Sequence, residues 1–455
     1  MRCSKQNRMR PDHRLAAVIL AAALTSGLSG LASGQSSSFP VGARKFMNAS
    51  KLSMPRSPVP GSGPSLGSGR RSHNSSVSGS TPAAISSMRI MQPGNPLVGI
   101  TAEEFERFRL GLEDFVEVEN AAEGLGPAYN GTGCSACHNS PAIGGISPVS
   151  EIRAGRLDAE GNFEVLGGHT LFQLFSIPNH ACQPIIPPEA NVIAKRIPIP
   201  LFGAGLIEAI ADETILGLED PDDQDNNGIS GRAARIIDVA TGRERIGRFG
   251  WKAQHATLLA FGADAYRNEM GITNDLFMEE VAAGVDPETL ELCDLRPDPE
   301  DGPEPGTGLR GIDNFEAFMK FLAPIEKEPL TEEAAWGEQL FSLLGCVACH
   351  VPVLYTAPTE NRIFNEREVR LFSDLLLHDV GTGDGIAQEA ALPNEIRTPS
   401  LWGLRLRRPL LHNGSAATPE QAIRAHKSEA EAARKGFEDL SEQERAALLA
   451  FLNAL

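Results

Sequence analysis

Positive charge is scarce in this chain of 455 residues: 41 Lys and Arg stand against 59 Asp and Glu, a formal net charge of −18. That balance argues against nucleic acid or an anionic membrane surface as a partner. It is compatible with a basic protein partner. Long apolar runs are missing too. The run Leu15–Leu24 is too short for a comfortable membrane span. It follows Arg2, Lys5, Arg8, Arg10 and Arg14 and precedes small residues, the layout of a secretory signal peptide over residues 1–34. No Arg-Arg pair marks it for export in the folded state. A chain that is periplasmic or otherwise exported, without a stable span after cleavage, is expected; an uncleaved anchor is the alternative. Residues 35–92 lack any hydrophobic period and are rich in Ser, Gly and Pro, which reads as a disordered tether. Methionine is absent after Met319, so no thioether ligand can come from the rest of the chain. Hydrophobic content, at 41%, is ordinary and permits sizeable cores.

Cysteine is sparse, with seven residues, and four of them fall into two copies of Cys-x-x-Cys-His: Cys134, Cys137 and His138 in GTGCSACHNSPAIGG, then Cys346, Cys349 and His350 in LLGCVACHVP. Two thiols one turn apart can add to the two vinyl groups of a haem, and the adjacent imidazole reaches the iron from the same side. The pattern reads as c-type haem attachment. Structural zinc or a redox dithiol are the alternatives, but zinc usually wants four ligands and neither copy has a second Cys pair close by. Cys3 lies in the leader. Cys182 and Cys293 remain, and in an exported chain they are candidates for a disulfide, the alternative being two separate buried thiols.

The folded part begins near Pro96. Thr101 and Glu104 form a capping box ahead of a helical apolar face of Phe105, Phe108, Leu112 and Phe115. EIRAGRLDAEGNFEVL predicts a hairpin turning near Glu160-Gly161. RIPIPLFGAGLIEAIADETI reads as a loop and then one helix. Asp223-x-Asp225-x-Asn227-Gly228 matches the start of a calcium loop, although position twelve is Ala234 rather than Glu; a polar Asx-rich turn is the competing reading. Residues 313–323 form a short amphipathic helix, and the chain closes on a similar one after Ser441-x-x-Glu444. Thr331 to Leu344 is a further helix, with Gly337, Leu340 and Phe341 placed for a helix crossing. The fold expected is mainly α: two cytochrome-c-like haem domains, 93–325 and 326–455, with a long loop-rich insertion and short β hairpins in the first.

The stretches GLGPAYNGTGCSACHNSPAIGG, PLFGAGLIEAI, DNNGISGR, GRFGWKAQHATL, EMGIT, GCVACHVP, SDLLLHDVG, IRTPSLWGL and LLHNGSAATPEQAI resemble the di-haem oxidoreductase family of thiol oxidoreductases and peroxidases, related to bacterial di-haem cytochrome c peroxidase. The resemblance implies two covalently bound c-type haems. Electrons would pass from the C-terminal haem to a reactive N-terminal one that meets peroxide or another small oxidant. A small redox protein or a quinol-linked system would be the donor. The alternative is a non-catalytic di-haem electron-transfer cytochrome. No free thiol pair remains to support thiol oxidation if Cys182 and Cys293 are bridged.

In the peroxidases the C-terminal haem usually takes a Met just after a segment like LLHNGSAATPEQAI. Here that place holds His426, which becomes the expected second axial ligand. Arg397 in RTPSL is the expected propionate partner, with His378 and His412 as neighbours of the same haem. Trp251 in GRFGWKA matches the tryptophan that lies between the haems in relatives. At the N-terminal haem, a group must move a proton between the two peroxide oxygens, and His255 and Glu208 are the candidates. The expected catalytic set is therefore His255, Glu208 and Trp251. The expected iron ligands are His138, His350 and His426, and the calcium candidates are Asp223, Asp225 and Asn227.

Overall fold

The structure, a computed structural model, describes residues 92–177 and 182–455. The expected leader, all but the last residue of the tether, and His180 lie outside the described residues. Among those described, helices dominate and strands are short. No described helix is long and apolar enough to cross a membrane.

Two crossed helix pairs frame the two Cys-x-x-Cys-His motifs. Helix α1 (Ala102–Phe115) starts on the expected capping box: Thr101 Oγ1 accepts from Glu104 N, and Glu104 Oε2 accepts from Thr101 N at 2.7 Å. Its buried face of Phe108, Gly111 and Phe115 crosses the later helix Gly311–Phe321. Any side chain at Gly111 would run into the Asn314 carbonyl, so glycine sets how closely the two backbones approach. The first motif follows as α2 (Cys134–Cys137), a single turn. Beyond it come α3 (Ala204–Glu208), α4 (Asp212–Leu216), α5 (Leu258–Met270) and α6 (Pro287–Cys293). Gly311–Phe321 is α7.

The second pair repeats the device. Helix α8 (Glu332–Leu343), capped by Thr331, precedes the second motif. After α9 (Pro419–Ala425) and α10 (Glu431–Glu438), α11 (Glu442–Leu452) closes the chain on a Ser441–Glu444 capping box and crosses α8. Gly337 lies against the Ala447 carbonyl at that crossing, with Leu340 and Phe341 buried beside it.

The hairpin is present: Glu151–Leu157 pairs with Phe163–Glu164, and Val192–Arg196 pairs with its other edge. A second hairpin, Ala234–Asp238 with Arg243–Gly247, had no reading in the sequence. The single helix expected within RIPIPLFGAGLIEAIADETI is instead two, α3 and α4. The buried Arg248 guanidinium donates to the carbonyls of Glu208 and Ile210 at the break, where a continuous helix would have used them itself. Cys182 and Cys293 are joined in a disulfide.

The first core gathers Phe108, Phe115, Phe315 and Phe318, and it also takes Leu354, Phe364, Leu371, Leu376 and Trp402 from the second half of the chain. The second core is built from Phe341, Phe372, Phe437, Leu448 and Phe451.

Candidate functional site

Each motif presents its histidine in the same way. His138 Nδ1 is 2.9 Å from the Gly145 carbonyl, and His350 Nδ1 is 3.0 Å from the Phe372 carbonyl. A carbonyl can only accept, so Nδ1 carries the proton and Nε2 keeps its lone pair. Gly145 is needed where it lies, because a side chain there would collide with the Ser140 carbonyl inside the 140–146 loop. Burial pulls both imidazoles down to about 4, so they are neutral at physiological pH, the state in which imidazole binds a metal. The four motif cysteines are free. Burial pushes Cys134 and Cys346 up to about 12 and Cys137 to about 11, which disfavours the thiolate a redox dithiol needs.

Beside the second motif is a cavity of about 390 Å³ whose lining includes Cys346, Cys349, His350, His412 and His426. His426, at the C-terminus of α9, holds its Nδ1 2.6 Å from the Ala422 carbonyl, which leaves the Nε2 lone pair free. His350 and His426 thus line one cavity in one tautomer. His378 lines it too, but Asp374 takes its Nε2 at 2.9 Å and Glu429 its Nδ1 at 2.8 Å. Burial opposes its charge, yet the two carboxylates hold its pKa well above the ordinary value, so it is an imidazolium with no free nitrogen.

Arg397 and Arg407 also line this cavity. Both are buried, and burial lowers both to about 10, leaving them cationic at neutral pH. Arg397 donates only to the carbonyls of Gly250 and Thr398, and Arg407 only to that of Ser400 at 3.4 Å. Neither has a carboxylate partner among the described residues. Two buried, unpaired guanidinium groups facing a cavity fit a dianionic ligand, as the two propionates of a haem would supply. Arg407 was missed in the sequence, where it is one of many arginines.

The first cavity, of about 170 Å³, is lined by Cys134, Cys137, His138, Arg196, Asp264 and Glu269 among others. Arg196 is buried, donates to Asp384 and Gln388 at 2.7 Å each, and leaves Nη2 without a partner among the described residues. That orphaned donor, like the two arginines of the other cavity, fits an anionic group.

Two carboxyl groups of the first cavity stand out. Glu151 takes Arg153 Nε at 2.7 Å; burial works against its charge, but Arg153 and Arg196 together hold it below the usual range. Glu269, at the end of α5, accepts from Asn130 Nδ2 at 2.7 Å. Burial first, and then the neighbouring Glu151 charge, raise its pKa far above the carboxylate range. The pair therefore holds one proton, on Glu269. Neither residue was singled out in the sequence, although Glu269 begins the EMGIT stretch that carries part of the resemblance.

The expected catalytic residues divide. Trp251 lines both cavities, together with Ile197 and Pro198. Its Nε1 donates to the Ile197 carbonyl at 2.8 Å, and its ring meets His412 edge-on at 6.2 Å. His255 lines neither cavity; its Nε2 is 3.0 Å from Asp264 Oδ2, so it reaches the first cavity only through that carboxylate. Glu208 is withdrawn as well. Its carboxylate accepts from Leu258 N at 2.7 Å and caps α5.

At the calcium-loop candidate, ligand oxygens of Asp220, Asp223 and Asp225 gather within 4.8 Å of one another. Asp223 accepts from Gly228 N, Asp225 from Asn227 N and Nδ2, and Asn227 Oδ1 from Ile229 N, all bonds of an Asx-rich turn.

A family model described as "Di-haem oxidoreductase, putative peroxidase" matches residues 188–455, more than half of the chain. No curated protein matches it. Among solved structures, the hydrazine synthase of Kuenenia stuttgartiensis aligns at 15% identity over 84% of this chain and 100% of that one, with a TM-score of 0.37. The diheme peroxidase BthA from Burkholderia thailandensis E264 aligns at 15% identity over 77% and 86%, with a TM-score of 0.35. A MauG-like protein associated with microbial copper homeostasis aligns at 19% identity over 61% and 94%, with a TM-score of 0.29.

Proposed function

The chain belongs to the di-haem oxidoreductase family and is an enzyme of that class; from that premise we propose that it is an exported, peroxidase-like c-type cytochrome in which electrons pass from the C-terminal haem to a reactive N-terminal one. The observation that carries this reading is that Trp251 is part of the wall of both cavities. Cys134 and Cys137 would bind one haem and Cys346 and Cys349 the other, with His138 and His350 as proximal ligands. His426 would be the second ligand of the C-terminal iron, and Arg397 and Arg407 would hold the carboxylates of that haem. On this reading 93–325 and 326–455 are two cytochrome-c-like domains, the leader directs the chain to the periplasm, and a small redox protein or quinol-linked system is the donor.

Bound haem supplies the redox-active iron that accepts electrons singly and binds the oxidant. The chain supplies the rest. Converting peroxide to two water molecules takes two electrons and two protons, and one oxygen must gain a proton as the O–O bond breaks. Glu269 holds a proton at neutral pH and lines the first cavity. Asn130 fixes its orientation, and the Glu151 charge, kept ionised by Arg153 and Arg196, favours the protonated form of Glu269, which solvent must reload once its proton has left in water. His255 acts one layer out, by orienting Asp264. Trp251 fills the space between the two cavities with a polarisable ring in place of solvent. Calcium at Asp223, Asp225 and Asn227 remains a subsidiary proposal, resting on the spacing of those residues.

A spectroscopic titration tests the reading. One haem should be low-spin throughout, and the other should be high-spin or become so after one-electron reduction, and should react with peroxide. Two low-spin haems inert to peroxide would instead describe an electron carrier.

A further inference from the structure

Beside the wall shared by the two cavities, three buried charges from distant parts of the chain meet. Strand Val192–Arg196 ends on Arg196, and Lys252 directly follows Trp251. Both cations belong to the first half of the chain, and both turn to one carboxylate of the second half. Asp384 Oδ2 accepts from Arg196 Nε at 2.7 Å, and Asp384 Oδ1 lies 3.1 Å from Lys252 Nζ. The three side chains are at most 2% exposed, so water cannot stand in for any of them. Burial works against the charge of Asp384, yet Arg196 and Lys252 hold it down to about 2.

The loop around Asp384 supplies the rest of the grip. Gln388 Oε1 accepts from Arg196 Nη1 at 2.7 Å. Lys252 Nζ donates to the carbonyls of Leu392, Pro393 and Glu395 at 3.0, 3.2 and 2.6 Å. An ammonium has three protons, so these carbonyls and Asp384 use all of them. The loop closes on itself through Gly385 N, which donates to the Pro393 carbonyl at 3.0 Å. Arg232 fastens its far end through Glu395 at 2.6 Å. Residues 384–395 are thus a strap from the second half, tied to three cations of the first.

What the strap holds is the wall. Arg196 is followed by Ile197, whose carbonyl accepts from Trp251 Nε1 and whose amide donates to the His412 carbonyl, each at 2.8 Å. Lys252 is preceded by Trp251, whose carbonyl accepts from Arg397 N at 2.9 Å. Ile197 and Trp251 line both cavities. A displacement of either cation therefore passes along one residue to the indole or to its carbonyl partner. Without the Asp384 charge, Arg196 and Lys252 would be like charges buried on either side of a neutral group, and repulsion and desolvation would drive them apart. Glu151, 3.9 Å from Arg196 Nη1, is already committed to Arg153.

We propose that Asp384 is a positioning residue for Trp251: through Arg196 and Lys252 it fixes the indole and its carbonyl partner between the cavities, so that a carboxylate of the second half sets how well electrons cross to the first. This rests on the reading that Trp251 lies on the path between the haems, and it names the group that keeps it there. Asp384 itself lines neither cavity. It acts through the residues it holds.

The test uses the full-length protein with both haems, counted by intact mass in every variant. It measures the rate at which an electron delivered by pulse reduction passes from the C-terminal iron, which is oxidised, to the N-terminal iron, which is reduced. Both midpoint potentials are measured beside it, so that a changed driving force is not read as a changed path. Asp384→Asn keeps the shape and removes the charge; it should slow the step several-fold and lower the melting midpoint. Gly337→Ala, at the α8–α11 crossing, should lower the midpoint and leave the rate alone. A double-mutant cycle ties the effect to the indole. Trp251→Phe should also slow the step, and adding Asp384→Asn to it should slow it no further. If Asp384→Asn does not fold, Gln388→Ala, at a half-buried position, loosens Arg196 more gently and enters the same cycle. A wild-type rate in Trp251→Phe refutes the path through the indole, and the positioning role with it. Slow transfer in Trp251→Phe beside a wild-type rate in Asp384→Asn, or further slowing in the double variant, overturns the positioning role alone.

Discussion

Replacing Glu269 by Gln separates its proton from its shape. Glutamine is nearly isosteric with a protonated glutamate: its carbonyl can accept from Asn130 Nδ2, and its amide can donate to Glu151 as the acid does. The cavity should keep its form and the resting haem spectra should not change. Peroxide turnover should fall by roughly 10²–10⁴-fold, the usual worth of a positioned acid–base group. The same change has a stability signature. The folded pKa of Glu269 is raised above the unfolded value, so its contribution to stability is complete below the ordinary carboxyl range and is lost as pH rises toward the folded pKa. Glutamine has no such loss. Wild type and variant should therefore be alike in mild acid and diverge upward, the variant gaining about 1.4 kcal/mol per pH unit, or roughly 3 kcal/mol between pH 5 and 7. Urea melts at several pH values, run beside stopped-flow turnover, measure both. A gap between the two proteins that stays constant over that interval would refute the assignment of a raised pKa to Glu269.

Removing the imidazole in His426→Ala should convert one low-spin haem to high-spin, and His426→Met should raise that haem's potential, since sulfur favours reduced iron; unchanged spin states and potentials would place the ligand elsewhere. Gly337→Ala drives a methyl group into the Ala447 carbonyl at the α8–α11 crossing and should cost about 1–3 kcal/mol, read as a lowered melting midpoint. Acid-acetone extraction should leave the colour with the protein, and intact mass should exceed that of the processed polypeptide by two haems; extractable haem would contradict attachment at one motif.

What could be read from the sequence was local. The capping boxes at Thr101 and Ser441 and the hairpin around Glu160 each depend on residues a few positions apart, and the structure contains all three. The two motifs were legible for the same reason, because the chemistry they suggest dictates their spacing. Distance in the chain hid the rest. Glu269 is set apart by its burial and by Glu151, on a distant strand, facing it. The break between α3 and α4 depends on Arg248, which the helix's own sequence does not contain. Glu208 and His255 fall near the first cavity along the chain, yet a helix cap and a carboxylate partner claim their polar atoms. Arg407 is distinguished by having no anionic partner among the described residues, a property visible only in three dimensions.

The first core takes Leu354, Leu371, Leu376 and Trp402 from far beyond its own helices. The lobe around Cys134 and Cys137 therefore cannot be sealed until the chain as far as Trp402 has packed against it. A truncated chain ending near residue 325 would lack the side chains that complete the core of its own lobe.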